Sequence, residues 1–490
     1  MSLAAWEAIV DAAGVAAPLE TALPIGVRPR QLSIRTLLVG MLLCQADDRP
    51  GHLTRVHQAL LGLSVDDQHR LGVIAGWRAG PHTLTYRQTE RTFGLVTDLL
   101  AAGAEAGCPS DALAHVVDAL MEASIPERYN QASSSLAIDW TDTETWATPP
   151  PKGTTGADPD ASWGHRNGGA TTTELFYGYH TQFATMVREE HGPAIPELAR
   201  RLLLTACHID PPRAFVAVLA RMHHIGIILG DLLSDSGYAH RLATAWALPL
   251  RQLGARLVTD LHPADRGPKG THAGAILANG NLFCPATPPV LLSIAPLAPG
   301  ADKAAIAAHD TTTAEAARYK LGRISADDAD GYHRVQCPAA AGKLRCPLRP
   351  ESMTLALDRP EVLKAPEHPP CCCTQQTITV PPSVNAKTAQ KHDYPGAAWR
   401  GSYTRRSAAE RTNATIKDPA TTDTGRGWCR LMGLTSITLF LTCAMAVRNG
   451  RIVEAFEARQ IDADRRAAAG RPPRTRKRRR RTIDELIDSA

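Results

Sequence analysis

The spacing of apolar residues changes character along the chain. Through residues 1–130 they recur three and four apart, over Leu37–Leu43, Leu53–Leu63 and Ala112–Met121, which predicts a mostly helical N-terminal domain. From Ser133 the pattern tightens. Ser135-Leu-Ala-Ile-Asp-Trp140 reads as a short buried strand that ends in a carboxylate, and Glu174–Arg188 as a strand hairpin rich in aromatic and β-branched residues. Ile225–Leu233 reads as a second buried strand and Ala255–Asp260 as another. Helical spacing covers Pro193–Cys207, Pro212–His223 and Ala239–Leu253. Strands alternating with helices indicate an α/β sheet. Residues 285–395 are rich in Pro, Ala and Lys and lose sustained periodicity; short strands are expected at Val290–Ile294 and Thr377–Val380, within an insertion. A helix from about Ser402 follows. The uncharged run Leu431–Val447 contains Thr435, Ser436, Thr438 and Thr442, which favours a buried core helix over a membrane span.

Composition adds one asymmetry. The chain has 490 residues, enough for two to four domains, with 44% hydrophobic and 21% charged residues, ordinary for a globular protein. Its formal charge is +5, yet residues 465–481 hold ten Arg and Lys and no acid, so the remainder carries about −5. Any nucleic-acid groove in the body must therefore come from local clustering. Arg55, Arg70, Arg78, Arg87 and Arg91 are scattered through the N-terminal helices; a DNA-binding domain with a helix-turn-helix near Thr83–Leu99 and a plain helical scaffold are both open. Eleven cysteines without a visible secretory signal suggest reduced thiols and a cytoplasmic location.

Candidate chemistry sits late in the chain. Tyr403, Arg406, Glu410 and Lys417 are spaced Y-x2-R-x3-E-x6-K. On one helix they fall within about 60° of each other, so a phenol, a guanidinium, a carboxylate and an ammonium share a stripe. Two further acids end predicted strands: Asp139, with Asp142 and Glu144 as competitors, and Asp235 in Asp-Ser-Gly-Tyr238, with Asp231 as competitor. Ligand sites in open α/β sheets gather at such strand ends. Three converging carboxylates repel unless a cation offsets them. Mg²⁺, which prefers oxygen ligands, is the natural candidate.

These residues resemble a known family. The Tyr-Arg-Glu-Lys signature with its spacing, the strand-ending Asp139, the Asp-x-Gly-Tyr around Asp235 and the Ala446-Val-Arg-Asn449 stretch are similar to DDE transposases of bacterial insertion sequences, the cut-and-paste kind. The resemblance covers roughly residues 133–295 and 396–450. It implies a ribonuclease-H-like catalytic core with an insertion subdomain. The expected order is a helical N-terminal domain at 1–130, core at 131–295, insertion at 296–395, closing helices at 396–458 and a basic, disordered tail at 459–490. It further implies that Asp139, Asp235 and Glu410 hold two Mg²⁺ ions, with Mn²⁺ as a substitute. DNA would be cut at the element's terminal inverted repeats and the freed 3′-hydroxyl joined to target DNA. Tyr403, Arg406 and Lys417 would grip phosphates, and a homodimer would synapse the two ends. A nucleoid-associated cytoplasmic protein without a membrane segment is expected. A catalytically inactive DNA-binding protein of the same fold and a nuclease without strand transfer are the alternatives.

Other signals are weaker. The tail Gly470-Arg-Pro-Pro-Arg-Thr-Arg-Lys-Arg resembles a minor-groove arm, which makes Arg474, Arg476, Lys477 and Arg478 DNA-binding candidates, against a merely solubilising end. Cys337, Cys346, Cys371, Cys372 and Cys373 fall in the insertion; simple loop thiols are the favoured reading and a structural zinc site the alternative, because 337–346 is a wide spacing and three adjacent cysteines cannot readily face one ion.

Overall fold

The computed structural model describes residues 1–24, 30–77, 80–151, 153–167, 173–298, 300–418, 422–472 and 474. The N-terminal part comprises α1 (Leu3–Ala13), α2 (Ala16–Ala22), α3 (Ile34–Ala46), α4 (Leu53–Leu61) and α5 (Val65–Arg70), then strands β1 (Ile74–Trp77) and β2 (Gly80–Thr83), then α6 (Tyr86–Ala101), α7 (Asp111–Ala123) and α8 (Glu127–Asn130). The expected helix-turn-helix is absent from Thr83–Leu99. That stretch is a single helix, α6, started by a Thr85–Gln88 capping box and separated from α5 by the β1–β2 hairpin. Arg70 is engaged by Glu7 and Asp67, while Arg55, Arg87 and Arg91 are exposed. Arg78 lies outside the described residues.

A mixed sheet forms the centre. Its strands are β3 (Leu136–Glu144), β4 (Ser162–Asn167), β5 (Thr173–Met186), β6 (Ala199–Ala206), β7 (Asp231–Ser234) and β8 (Arg256–Thr259). The order is β4-β5-β3-β7-β8, with β6 also on β5. β3 runs antiparallel to β5 and parallel to β7, which is parallel to β8. Between the parallel strands the chain crosses through α9 (Pro211–His224), α10 (Ser236–Ala239) and α11 (Ala247–Gln252). The protein is thus a mixed α/β protein.

Two local expectations are corrected here. Glu174–Arg188 is not a hairpin but most of one 14-residue strand, β5. Gly178, the natural turn point, stays paired with Glu144 on one side and Ser162 on the other. Pro193–Cys207 is not a helix; its second half is β6, buried along its whole length. The run Leu202-Leu-Leu204 needs cover on both faces. A helix would bury one stripe, whereas an inner strand buries both. Arg200 and Arg201 are buried with it and are held by Glu122 on α7 at 2.6 Å each.

Alternation along the strands separates two cores. Leu136, Ile138, Leu203, Leu232 and Leu257 face α9 and α11. On the opposite face, Tyr179, Phe183, Leu202 and Leu204 pack with the N-terminal helices and with α17 (Leu434–Ala468), so the N-terminal region shares its core with the sheet. Of Leu431–Val447, the part from Leu434 is the buried start of α17, while Met432 before it is exposed, and among the described residues no helix is long and apolar enough to cross a membrane. The helix continues through the charged stretch to Ala468, past the expected start of the tail at residue 459.

The segment between β8 and α15, here the insertion, contains the expected 296–395 and, with it, small sheets that begin earlier, at Pro268. β9 (Pro268–His272), β10 (Ala275–Ala278) and β11 (Asn281–Phe283) make one antiparallel sheet. After α12 (Pro289–Leu292) and α13 (Lys303–Tyr319), β12 (Gly322–Arg323), β13 (His333–Gln336) and β14 (Thr377–Val380) make another, with α14 (Cys371–Thr374) before its last strand. The expected strand at 290–294 is instead α12, whose opening prolines suit a helix start. The chain returns through α15 (Ala397–Tyr403) and α16 (Ser407–Ile416).

One buried amide ties α17 to the sheet. Asn449 Oδ1 accepts from the Ala199 amide at 3.0 Å, and Nδ2 donates to the Ala199 carbonyl and to Ser124 Oγ, both at 2.8 Å. The side chain acts as a strand partner for Ala199. Asn449→Leu strands both backbone groups in a buried place, and we expect a loss of about 2–4 kcal/mol in denaturant unfolding. A loss below 1 kcal/mol would mean that water or backbone movement replaces the amide.

Candidate active site

Strand register brings the first two acids together. Ala137 of β3 pairs with Leu233 of β7, and both sit in the apolar cluster beneath α15 and α16. Two residues further on, still on that face, come Asp139 and Asp235. β7 stops at Ser234, so Asp235 does stand just past a strand end. Asp139 does not: β3 continues to Glu144 because β5 pairs with it that far, and only the parallel pairing ends at Ala137.

The turn after β7 explains Asp-Ser-Gly-Tyr. Asp235 Oδ1 accepts from the amides of Gly237 at 2.9 Å and Tyr238 at 3.3 Å, capping α10. A Cβ on Gly237 would stand 2.6 Å from the Trp140 ring. Tyr238 is buried between Trp140 and Trp246, and its hydroxyl donates to Gln182.

Glu410 arrives from the other side of the insertion. Ala408 and Ala409 are buried against the sheet; with methyl side chains they let α16 approach closely. Trp399 Nε1 donates to the Thr259 carbonyl at 3.0 Å, fastening α15 to β8. The four-residue stripe does not lie on one continuous helix. Tyr403 ends α15, Arg406 lies in a 3-10 turn at Thr404–Arg406, Glu410 is in α16 and Lys417 caps its end. Arg405 fixes that turn: it is buried, and its Nη2 meets Asp231 Oδ2 at 2.8 Å.

Arg406 stands between the acids, 3.6 Å from Asp139 Oδ2 and in contact with Glu410 Oε1. Its guanidinium also lies 5.7 Å from the centre of the Tyr403 ring, which stacks on Trp399. Lys417 goes elsewhere, to Asp142, which also binds Arg166. Burial pushes the Asp139 carboxyl up to about 6, the neighbouring Asp235 charge adds to this, and Arg406 opposes it. Asp235 is likewise raised, first by burial, against the pull of Arg406. Tyr403 is raised, chiefly by burial.

The competing acids are accounted for structurally. Asp142 is shared by Arg166 and Lys417, Glu144 meets Arg166 at 2.5 Å, and Asp231 is held by Arg256, Lys391 and Arg405. Asp260 is an acid the sequence reading passed over. It follows β8 as Asp235 follows β7, adds to the charge felt by Asp235 and Tyr403, and binds Tyr394 at 2.8 Å and Arg266 at 3.2 Å. Its strand-end position was the available signal. Arg405 offered none, because nothing in the sequence distinguishes it from Arg406. His240, His262 and Asp265 form a further ligand-type group with all three donor atoms within 4.8 Å, but Lys387 already binds Asp265 at 2.7 Å.

Asp139, Asp235 and Glu410 offer only carboxylate oxygens, two of them with raised affinity for protons. The donor type suits a hard divalent ion, but the three carboxylates do not all lie within 4.8 Å of one another. Of the tail candidates, Arg474 pairs with Asp462 at 3.0 Å on the exposed end of α17; Arg476, Lys477 and Arg478 lie outside the described residues.

The raised Asp139 carboxyl has a consequence for stability. Between its ordinary value of 3.8 and about 6, the folded state holds more protons than the unfolded state, so stability falls as pH rises through this window. The fall amounts to at most about 3 kcal/mol. Without added metal, Asp139→Asn should remove most of it, gaining stability over the parent at pH 7 and little at pH 4 in denaturant titrations. Parallel profiles for the two proteins would contradict the assignment.

The chain matches no protein-family model and no curated protein.

Proposed function

We propose that the chain is a DDE transposase with a ribonuclease-H-like core, hydrolysing phosphodiesters at DNA element ends and joining the freed 3′-hydroxyl to target DNA. The observation that carries the reading is the pair Asp139 on β3 and Asp235 just past β7, each two residues beyond the paired Ala137 and Leu233, with Arg406 and Glu410 brought over by the turn after α15 and by α16. Sheet order supports it. Three antiparallel strands, β6, β5 and β3, are followed outward by β7 and β8 parallel to β3, the arrangement expected of a ribonuclease-H-like core. The insertion falls between Asp235 and Glu410, as the resemblance implied.

Asp139, Asp235 and Glu410 would hold two Mg²⁺ ions, with Mn²⁺ as substitute; when bound, these would supply Lewis acidity at the attacking and leaving oxygens. The chain's own residues would do the rest. Arg406 would take a DNA phosphate bidentately once the carboxylates have another counter-charge. Tyr403, held by Trp399, would limit where that guanidinium can swing. Lys417 would add a point contact to the backbone further along. Terminal inverted repeats, target DNA and a second copy of the chain are the partners this requires.

The test uses duplexes carrying the sequences that flank the gene, with Mg²⁺. Cleavage and joining to a plasmid are expected, and Asp139→Asn, Asp235→Asn and Glu410→Gln should each lower both by at least about 100-fold while mobility-shift binding persists. Cleavage without joining would favour a nuclease. Binding without cleavage by the parent protein would favour a DNA-binding derivative.

A further inference from the structure

The insertion brings together cysteines from four separate segments. Cys284 follows β11, Cys337 follows β13, Cys346 lies in the loop beyond, and Cys373 is in α14. All four are buried, each 7–8% exposed. Cys284, Cys337 and Cys346 share one cluster. These thiols are near enough to feel one another's charge, and so is Cys372 beside them. We propose that Cys284, Cys337, Cys346 and Cys373 form a four-thiolate structural zinc site that fastens the two small sheets of the insertion together.

Local backbone geometry supports the choice. Three of the four begin Cys-Pro turns: Cys284-Pro-Ala286, Cys337-Pro-Ala339 and Cys346-Pro-Leu348. In two of them the amide two residues on, Ala286 or Leu348, lies near the cysteine sulfur and opposes the rise in proton affinity that burial causes. The same two turns close alike, with Thr287 donating to the Cys284 carbonyl at 3.0 Å and Arg349 to that of Cys346 at 2.8 Å. Amides aimed at a sulfur stabilise a thiolate, the form that binds metal. Four thiolates on a divalent ion leave two negative charges, and the Arg349 guanidinium lies near Cys346 and Cys373 to offset them.

The neighbouring cysteines fit less well. Cys371 is exposed. Cys372 has its sulfur 4.0 Å from that of Cys373 but turned toward Gly274, 3.6 Å from where a Cβ would stand. Zinc–sulfur bonds of about 2.3 Å would set the sulfurs about 3.8 Å apart. The four stand wider than that, since among the described residues no three cysteine sulfurs lie within 4.8 Å of one another. Closure by side-chain rotation is therefore part of the proposal. The apparent obstacle in the sequence, the wide spacing of Cys337 and Cys346, disappears once Cys284 joins from 53 residues upstream.

The full-length protein purified from zinc-supplemented cells should carry about one zinc per chain that survives dialysis against EDTA, with release by an organomercurial that titrates four thiolates. Cobalt substitution should give thiolate charge-transfer absorption and the intense visible bands of a tetrahedral site. Cys284→Ser and Cys373→Ser should each lower retained zinc at least tenfold, whereas Cys371→Ser, Cys372→Ser and the Asp139→Asn/Glu410→Gln pair should retain it. Zinc-free protein without cobalt bands overturns the proposal even if the serine variants fail to fold. So does full zinc in Cys284→Ser, or loss of zinc on changing the two carboxylates.

Discussion

Asp231 is the constraint on which the site depends. Its carboxylate is fully buried and accepts from Arg256 of β8, from Lys391 at the end of the insertion and from Arg405 in the turn between α15 and α16, each at 2.8 Å. Burial alone would raise its proton affinity, but the cations outweigh this and hold it below the ordinary carboxylate range. A buried charge so surrounded is costly to disturb, because losing one partner leaves the others uncompensated. Cations 25, 160 and 174 residues along the chain thus meet at one side chain, four positions before Asp235.

Around that hub, the acids divide according to their environment. Those saturated by cations, Asp231 and Asp142, hold elements together. Those left with raised proton affinity, Asp139 and Asp235, lie near Arg406, which also contacts Glu410. Neither group could be recognised from residue type, since Asp231 and Asp235 are four residues apart on one short segment. They share strand parity; what separates them is the arrival of Arg256, Arg405 and Lys391 at Asp231 alone.

The sequence was most legible where period and chemistry agreed. The N-terminal helices, α9, β8 and β14 follow their apolar spacing, and Asp-Ser-Gly-Tyr announces a turn whose glycine is required by the Trp140 ring. It was least legible where tertiary pairing overrode local preference. β6 looks helical until β5 offers it an edge, and β3 runs past Asp139 because the same strand continues beside it. The stripe expected on one helix is interrupted by a 3-10 turn, and Lys417 turns away to Asp142. The burial of Cys284 beside Cys337 and Cys346 was illegible for a related reason: it follows a strand of a different sheet.

The length of α17 has a mechanical consequence. Its last buried side chain is Phe456, yet the helix continues for twelve more residues to Ala468, about 18 Å of exposed rise. The arginine-rich segment is therefore mounted on the tip of a strut. On a coil, inserting or removing a residue would change only reach. On a helix each residue also turns the mounting by about 100°, so strut length encodes the azimuth from which the basic segment departs.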